Sequence, residues 1–395
     1  MTIEELREHL SEVDRTIVDA IAERQALVAE IGARKLDAGR PLRDFRREKE
    51  VLEGVRDHAA ARGLDPELAD EILRRLIRAS LEQQEHARVS AAAGGSGRRA
   101  LVIGGAGKMG RWFADFLDAQ GYDVEVSDLA GPVGGYGFVA PATWDGSGGA
   151  SAAEVPEHAP GHAPEHAPEH AQALAPAHPL DHDVIVVSAS LAASGIILTR
   201  LAHLRPPGLV FDVGSLKSPL RPGLAALAEA GCRVTSIHPM FGPDTRLLSG
   251  RHVLFCDAGH SGATAEARAL FDSTMAEQIE MPLDQHDRLV AYVLGLSHAL
   301  NIAFFTALAG SGEAAPVLRG LSSTTFDAQL EVATRVASEN PHLYYEIQAL
   351  NDHGDEALRA LEAAVADVTR SVRDADEPAF TRLMTTGRRY LEARP

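Results

Sequence analysis

Residues 98–128 read RRALVIGGAGKMGRWFADFLDAQGYDVEVSD, and no other stretch narrows the possible folds as far. An apolar run at 100–103 enters Gly105-Ala-Gly107-Lys-Met-Gly110, which opens a segment with apolar residues at helical spacing. A second apolar run follows and ends at Asp128. Strand, glycine turn, helix and strand in that order predict a dinucleotide-binding unit. Gly105 permits the tight turn, Gly107 lets the backbone approach a pyrophosphate, and Gly110 lets helix and strand pack closely. Lys108 and Met109 complete the expected cofactor-binding loop, where the helix N-terminus offers amide donors to phosphate. Asp128, 18 residues after Gly110, is placed to accept hydrogen bonds from a ribose 2′-hydroxyl. A 2′-phosphate would be repelled there, so NAD is expected and NADP disfavoured.

A chain of 395 residues calls for two or three domains. Its formal charge of −18 argues against a nucleic-acid or anionic-membrane partner, whose phosphates require clustered Lys and Arg. Cys232 and Cys256 are the only cysteines, which excludes a disulfide scaffold and suits a reducing cytosol. The charged start, MTIEELREHL, lacks an apolar core, so no signal peptide is expected and a cytoplasmic location is. No apolar run is read as approaching ~18 residues, so no membrane span is expected.

Residues 1–90 carry almost only helix signals. Leu6, Leu10, Val13, Ile17, Ile21, Leu27, Val28 and Ile31 keep helical spacing from a cap at Thr2 to the breakers Gly39 and Pro41. A first helix of about 35 residues cannot bury both ends within this segment, so an intertwined dimer is predicted. Further helices are expected near 44–61 and 66–88, the latter with Asp65 as cap and Pro66 in its first turn. A small-residue linker is expected at 91–97. An α/β domain should span 98–282, with further buried strands at 183–188 and 209–213. Helical patterning resumes over 283–395, with breaks near 310–312 and at Pro341. The predicted fold class is α + α/β: a three-helix intertwined-dimer domain, a Rossmann-type domain and an all-helical C-terminal domain.

An insertion at 145–180 interrupts the α/β domain. Its stretch EHAPGHAPEHAPEHA sets His158, His162, His166 and His170 four apart. Proline at every fourth residue blocks the helix that would gather them, so a loop with no metal role is expected.

The polar residues of the front segment can be tested against helical geometry. Arg24 and Lys35 lie about 20° apart in helical phase and share a face, whereas Arg7 is roughly 100° from Arg24 and free to serve another site. Asp44, Arg47 and Glu48 fall at i, i+3 and i+4, and Ser80 and Gln84 form an i, i+4 pair. Solvated charged faces are the usual fate of such residues, but Arg7, Arg24 and Lys35 interrupt a helix with large apolar demand. The stretches LREHLSEVD, IAERQALVAEIGARK, RPLRDFRREKEVL and RASLEQQ resemble the all-helical chorismate mutases over residues 1–90. That resemblance implies two sites per homodimer, each completed by Arg7 of the partner subunit. It assigns Arg24 and Arg47 to substrate carboxylates and Lys35 and Gln84 to the ether oxygen. Asp44, Glu48 and Ser80 complete the lining, with Glu48 taking the substrate hydroxyl. Chorismate is a dianion whose rearrangement needs no covalent help, so a preorganised cationic pocket suffices.

Residues 98–395 resemble prephenate dehydrogenases, through IGGAGKMG, DVGSLKS at 212–218 and above all SIHPMFGPD at 236–244. The resemblance makes His238 the base that takes the proton of the substrate's 4-hydroxyl, a role suited to an imidazole of pKa near 7. The resemblance also implies that Ser188 lies near that histidine, the substrate and the cofactor. Lys217 either supports the site or is structural. Where relatives carry a carboxylate-binding arginine this chain has GLSHALN, which offers Ser297 and His298, with Asn301 in place of a second histidine. A further arginine is replaced around Asp327, and Arg246 is the candidate substitute cation. Together the resemblances imply a bifunctional enzyme that turns chorismate into prephenate and then, with NAD, into 4-hydroxyphenylpyruvate. The altered carboxylate region keeps open the 4-amino-4-deoxy analogues as substrates. A third alternative makes the front segment a non-catalytic regulatory module.

Overall fold

Thr2 starts the first helix through a capping box, its hydroxyl accepting from the Glu5 amide while the Glu5 carboxylate takes the Thr2 amide. The computed structural model describes residues 1–144 and 180–393, so the four histidines of the insertion lie outside the described residues. Helix α1 (Ile3–Asp37) runs 35 residues, roughly 52 Å. Ile3, Leu6, Leu10, Val13, Ile17, Leu27 and Ile31 stay exposed on it, and Gly32 is its one buried residue. A bare apolar stripe of that length demands a cover that the described residues do not supply. Helix α3 (Pro66–Ala92) begins at the expected cap, Asp65, and α2 (Phe45–Ala61) is capped by Asp44, for which no capping role was expected. Gly32 sets the approach of α1 to α3, since a Cβ there would lie 2.8 Å from Cγ of Gln84.

Helix α3 overruns its predicted end and absorbs the start of the expected linker. The rest of that segment is a docked turn. The Gly95 amide donates to the Gln120 carbonyl, and a Cβ on Gly95 would lie 2.1 Å from the Tyr122 ring. Small residues are needed here for close approach to Tyr122, where the composition alone suggested a flexible spacer.

The α/β domain follows as β1 (Arg99–Ile103), α4 (Lys108–Ala119), β2 (Asp123–Ser127), β3 (Gly137–Phe138), β4 (Val184–Val187), α5 (Leu191–Leu204), β5 (Leu209–Asp212), α6 (Arg221–Glu229), β6 (Arg233–Pro239), β7 (His252–Asp257), α7 (Ser261–Ala269) and β8 (Glu277–Glu280). The strands form one sheet in the order β3-β2-β1-β4-β5-β6-β7-β8. All pairs are parallel except β6 with β7. Alternation along β1 feeds both faces: Ala100 and Val102 join Phe113, Phe211 and Phe271 in one core, and Leu101 and Ile103 join Leu198, Leu201 and Leu224 in the other. Val89 of α3 belongs to the first core, so the front helices are packed onto the sheet. Strand order reverses between β1 and β4, which opens a crevice at their carboxyl ends.

The C-terminal part comprises α8 (Leu283–Val290), a π-helical turn (Ala291–Leu296), α9 (Ser297–Gly310), α10 (Ala315–Gly320), α11 (Thr324–Ala337), α12 (Pro341–Ala349), α13 (Gly354–Arg373) and α14 (Glu377–Glu392). One premise read from the sequence, that no apolar run approaches ~18 residues, fails here. Leu283–Gly310 is long and apolar enough to cross a membrane by length and composition, with mean hydropathy 1.6. Isolated polar residues break the run to the eye without lowering its mean. They are engaged inside the protein: Asn301 receives a hydrogen bond from Gln329 of α11, and the Gly295 carbonyl one from Gln348 of α12. Tyr292, Val293 and Leu300 of this run are exposed, as are Val365, Val368 and Val372 of α13 and Met384, Tyr390 and Leu391 of α14. This is a second uncovered apolar surface.

Candidate active sites

The glycine loop between β1 and α4 is shaped by close contacts. Gly104 adopts φ +87°, and a Cβ on Gly105 would meet the Val126 side chain at 2.3 Å. A Cβ on Gly110 would lie 2.2 Å from the Gly104 carbonyl oxygen. Gly107, by contrast, is exposed and caps α4 with no side-chain bond, leaving the first-turn amides, those of Lys108 and Met109 among them, open to an anion. Asp128 stands beside this loop at the end of β2. Its carboxylate accepts from the Ala106 amide at 2.9 Å and the Ala130 amide at 2.8 Å, which fixes both oxygens while leaving each a further lone pair. These residues fit a dinucleotide with an unphosphorylated ribose.

Ser188 follows β4, its carbonyl against Gly104, and is half-buried. His238 closes the parallel part of the row near the end of β6, its ring buried. Glycine loop, Ser188 and His238 thus share the carboxyl edge of β1, β4 and β6, with β5 between the last two, where open α/β sheets place ligands.

His238 does not stand alone. Its Nδ1 lies 2.9 Å from Nε2 of His286, and Nδ1 of His286 lies 2.7 Å from Oδ1 of Asp287. His286 and Asp287, both on α8, are fully buried. The Asp287 carboxylate also accepts from the amides of Lys217 and Ser218 and from the Ser218 hydroxyl. Burial pushes its pKa up, but the bonds from His286, Ser218 and the Lys217 amide prevail and hold it well below the usual carboxylate range. Burial, then the neighbouring His286 and Lys217, push His238 well below the ordinary histidine value, against the pull of Asp287. That corrects the expectation of a pKa near 7: the ring is neutral, but desolvation has cost it basicity. Lys217 is resolved in favour of a brace. Its buried Nζ donates at 2.8 Å to Asp212, to the Gly214 carbonyl and to the carbonyl of Ile237, the residue before His238. All of its donors are used, so it holds the strand and does not offer a free cation.

In the front domain Arg24 donates to the Ser80 hydroxyl at 3.0 Å and to the Leu76 carbonyl. Ser80 in turn donates to Gln25 at 2.6 Å, and Gln84 donates to the Val28 carbonyl at 2.9 Å. Lys35 reaches the Leu42 carbonyl at 2.7 Å. Arg24, Ser80 and Gln84 therefore meet between α1 and α3, with Lys35 two to three turns further along α1. Glu48 is gripped by Arg43, with Nε to Oε1 and Nη2 to Oε2 both at 3.0 Å. Asp44 is engaged as the cap of α2, while Arg47 is exposed and paired with Glu50. Arg7 lies ~25 Å along α1 from Arg24, out of reach of that cluster within one chain.

Residues 6–85 match the family model described as Chorismate mutase type II, and residues 282–386 match that of the Prephenate dehydrogenase dimerization domain. The chain thus carries a chorismate mutase type II domain at its front and a prephenate dehydrogenase dimerization domain behind the sheet. A T-protein of Enterobacter agglomerans is 27% identical over 383 residues, 95% of this chain and 89% of that protein. A 4-amino-4-deoxyprephenate dehydrogenase of Streptomyces pristinaespiralis is 29% identical over 294 residues, covering 74% of this chain and 91% of its own. In fold, the chain is similar to the prephenate dehydrogenase of Aquifex aeolicus, with TM-score 0.52 and 17% identity over 75% of this chain and 98% of that one.

Several dehydrogenase residues sit differently from their expected roles. Ser297 is exposed and spends its hydroxyl on the Val293 and Leu294 carbonyls of its own helical run. His298 stacks on Tyr344 with ring centroids 4.2 Å apart, and its buried Nδ1 has no hydrogen-bond partner among the described residues. Burial lowers its pKa, so it is a neutral ring. Arg246 is exposed and lines a cavity of about 660 Å³ between the mutase helix α3 and α4, with Glu82, His86, Trp112, Asp115 and Leu248; neither His238 nor Ser188 lines it. The Trp112 indole holds the Thr245 carbonyl at 2.9 Å and so directs this loop toward the mutase domain.

Two buried carboxylates that tie the domains together escaped sequence reading. Glu85 of α3 accepts from the amides of Leu248 and Met275 in the dehydrogenase body, and Arg43 donates to Ser249 nearby. Glu346 of α12 accepts at 3.1 Å from both the Leu191 and Ala192 amides at the start of α5.

Proposed function

We propose that the mutase domain rearranges chorismate to prephenate and that the dehydrogenase body oxidatively decarboxylates prephenate to 4-hydroxyphenylpyruvate, on the route to tyrosine. The observation that carries the second step is the buried His238 on the same sheet edge as a dinucleotide loop with Asp128 beside it. NAD bound at that loop supplies the hydride acceptor. The glycine loop and the α4 amides hold its pyrophosphate, Asp128 takes the ribose hydroxyls, and Ser188 lies between loop and substrate. His238 receives the 4-hydroxyl proton as hydride leaves C4. Loss of CO2 then returns an electron pair to the ring, and the proton goes back to the phenolate oxygen. In the mutase domain Arg24, Lys35, Ser80 and Gln84 hold the chorismate dianion. Arg7 of the partner subunit completes the pocket, as the bare stripe on α1 and the exposed faces of α13 and α14 support in a homodimer.

The 4-amino-4-deoxy series is the second reading, favoured by the Streptomyces pristinaespiralis relative and by the engagement of Lys217 and displacement of Arg246. NADH formation from purified prephenate and from its 4-amino analogue, at equal concentrations, separates the two. Negligible turnover of prephenate would refute the first. His238→Asn should lower dehydrogenase turnover by about 10²- to 10⁴-fold while NAD still binds.

A further inference from the structure

The partners of His238 specify which of its nitrogens carries a proton. Asp287 is ionised and only accepts, so the hydrogen between it and His286 sits on Nδ1 of His286. A neutral His286 then presents a lone pair at Nε2, and the hydrogen in the 2.9 Å bond must come from Nδ1 of His238. That leaves Nε2 of His238 unprotonated. The groups facing this pair are His286 and Asp287 of α8, Lys217 of the loop after β5, and Asp212, which neutralises Lys217 at 2.8 Å. An imidazolium on His238 itself would have its nearest carboxylate beyond His286. One step inward, the same charge rests against Asp287 at 2.7 Å.

We propose that His286, held by Asp287, is the positioning residue that fixes the tautomer of His238 and stores the substrate's proton during turnover. As the 4-hydroxyl proton arrives at Nε2 of His238, the proton on Nδ1 crosses to Nε2 of His286. One N–H bond forms at each ring and one breaks at His238, leaving His238 neutral and His286 as an imidazolium beside Asp287. When CO2 has left, the same two transfers run backwards and the phenolate oxygen regains its proton. No proton is released to solvent, in keeping with a cluster that is fully buried beyond His238. Burial lowers the His286 pKa as well, against the pull of its bond to Asp287, but that bond sets a carboxylate 2.7 Å from the charge, a contact His238 does not have.

This inference rests on the dehydrogenase reading, and two variants with two readouts test it. His286→Gln keeps an acceptor for Nδ1–H of His238 but cannot take a proton, whereas His286→Leu removes both functions. Ring ¹⁵N NMR of the substrate-free protein should show His238 protonated at Nδ1 in the wild type and in His286→Gln, and shifted toward Nε2–H in His286→Leu. Turnover should fall about ten- to a hundredfold in His286→Gln and at least about tenfold further in His286→Leu, with KM for substrate within about twofold. Wild-type kcat in His286→Gln, or a KM effect without a kcat effect, overturns the proton store. An Nε2–H tautomer in the wild type overturns the whole arrangement. The NMR arm needs no substrate, so it decides the tautomer even if neither prephenate nor its amino analogue is oxidised. It also stands on the wild type alone should His286→Leu fail to fold.

Discussion

Replacing Glu85 by alanine would strip two amides of the dehydrogenase body of the acceptor that the mutase helix provides. Glu85 is 3% exposed and takes the Leu248 amide at 2.7 Å and the Met275 amide on its other oxygen. A hydrogen bond to a charged group contributes about 1.5–3 kcal/mol, and the orphaned amides sit where water reaches poorly. Each 1.4 kcal/mol is about tenfold in an opening equilibrium. Amide protons of Leu248 and Met275 should therefore exchange with solvent about 10- to 100-fold faster in Glu85→Ala than in the wild type. Hydrogen-exchange mass spectrometry on the full chain, read in peptides spanning 246–249 and 273–276, measures this directly. Unchanged exchange in both peptides would refute the idea that Glu85 clamps the domains. Burial raises the Glu85 pKa, only partly offset by the Leu248 and Met275 amides. The folded state thus binds more protons than the unfolded one between the ordinary carboxylate value and the raised one, so the contribution of this group to stability falls as pH rises through that window.

Asp128→Ala should weaken NAD binding by about tenfold or more and relax discrimination against NADP, as titration of the two cofactors would show. Lys217→Met would leave Asp212 as an unpaired buried charge and lower stability by about 3–5 kcal/mol, measured as a fall in the unfolding midpoint of the dehydrogenase body. Lys35→Ala should cut chorismate consumption by about a hundredfold. Oxidation of added prephenate should be unaffected, and unchanged chorismate turnover would point to a front domain without catalysis.

What could be read from sequence was chemistry carried by adjacent residues. The glycine loop, its helix and Asp128 declare themselves within 31 residues, and the HPMFGPD stretch names His238. Caps at Thr2 and Asp65 placed the first and third helices because capping is local. What escaped was pairing over distance. LDQHDRLV reads as an ordinary amphipathic helix start, yet its His286 meets a strand 48 residues away and its Asp287 a loop 70 residues away. The adjacent His-Asp on a helix with apolar neighbours was the available hint. Glu85 and Glu346 read as solvated helix charges, because nothing local announces that each will meet two backbone amides of another domain. The run through Leu283–Gly310 was misjudged for the opposite reason, single polar residues concealing its apolar average.

The two carboxylates that cross from the C-terminal helices into the α/β domain set how those halves can move. Glu346 grips the start of α5, and Asp287 grips the amides of Lys217 and Ser218. Pulling either away would strand a buried carboxylate, so the two halves are pinned together at both places. Both pins adjoin the site: Leu191 follows three residues after Ser188, whose carbonyl packs against Gly104, and Asp287 is bonded to His286. The cofactor loop and the histidine pair are thereby held to one common frame.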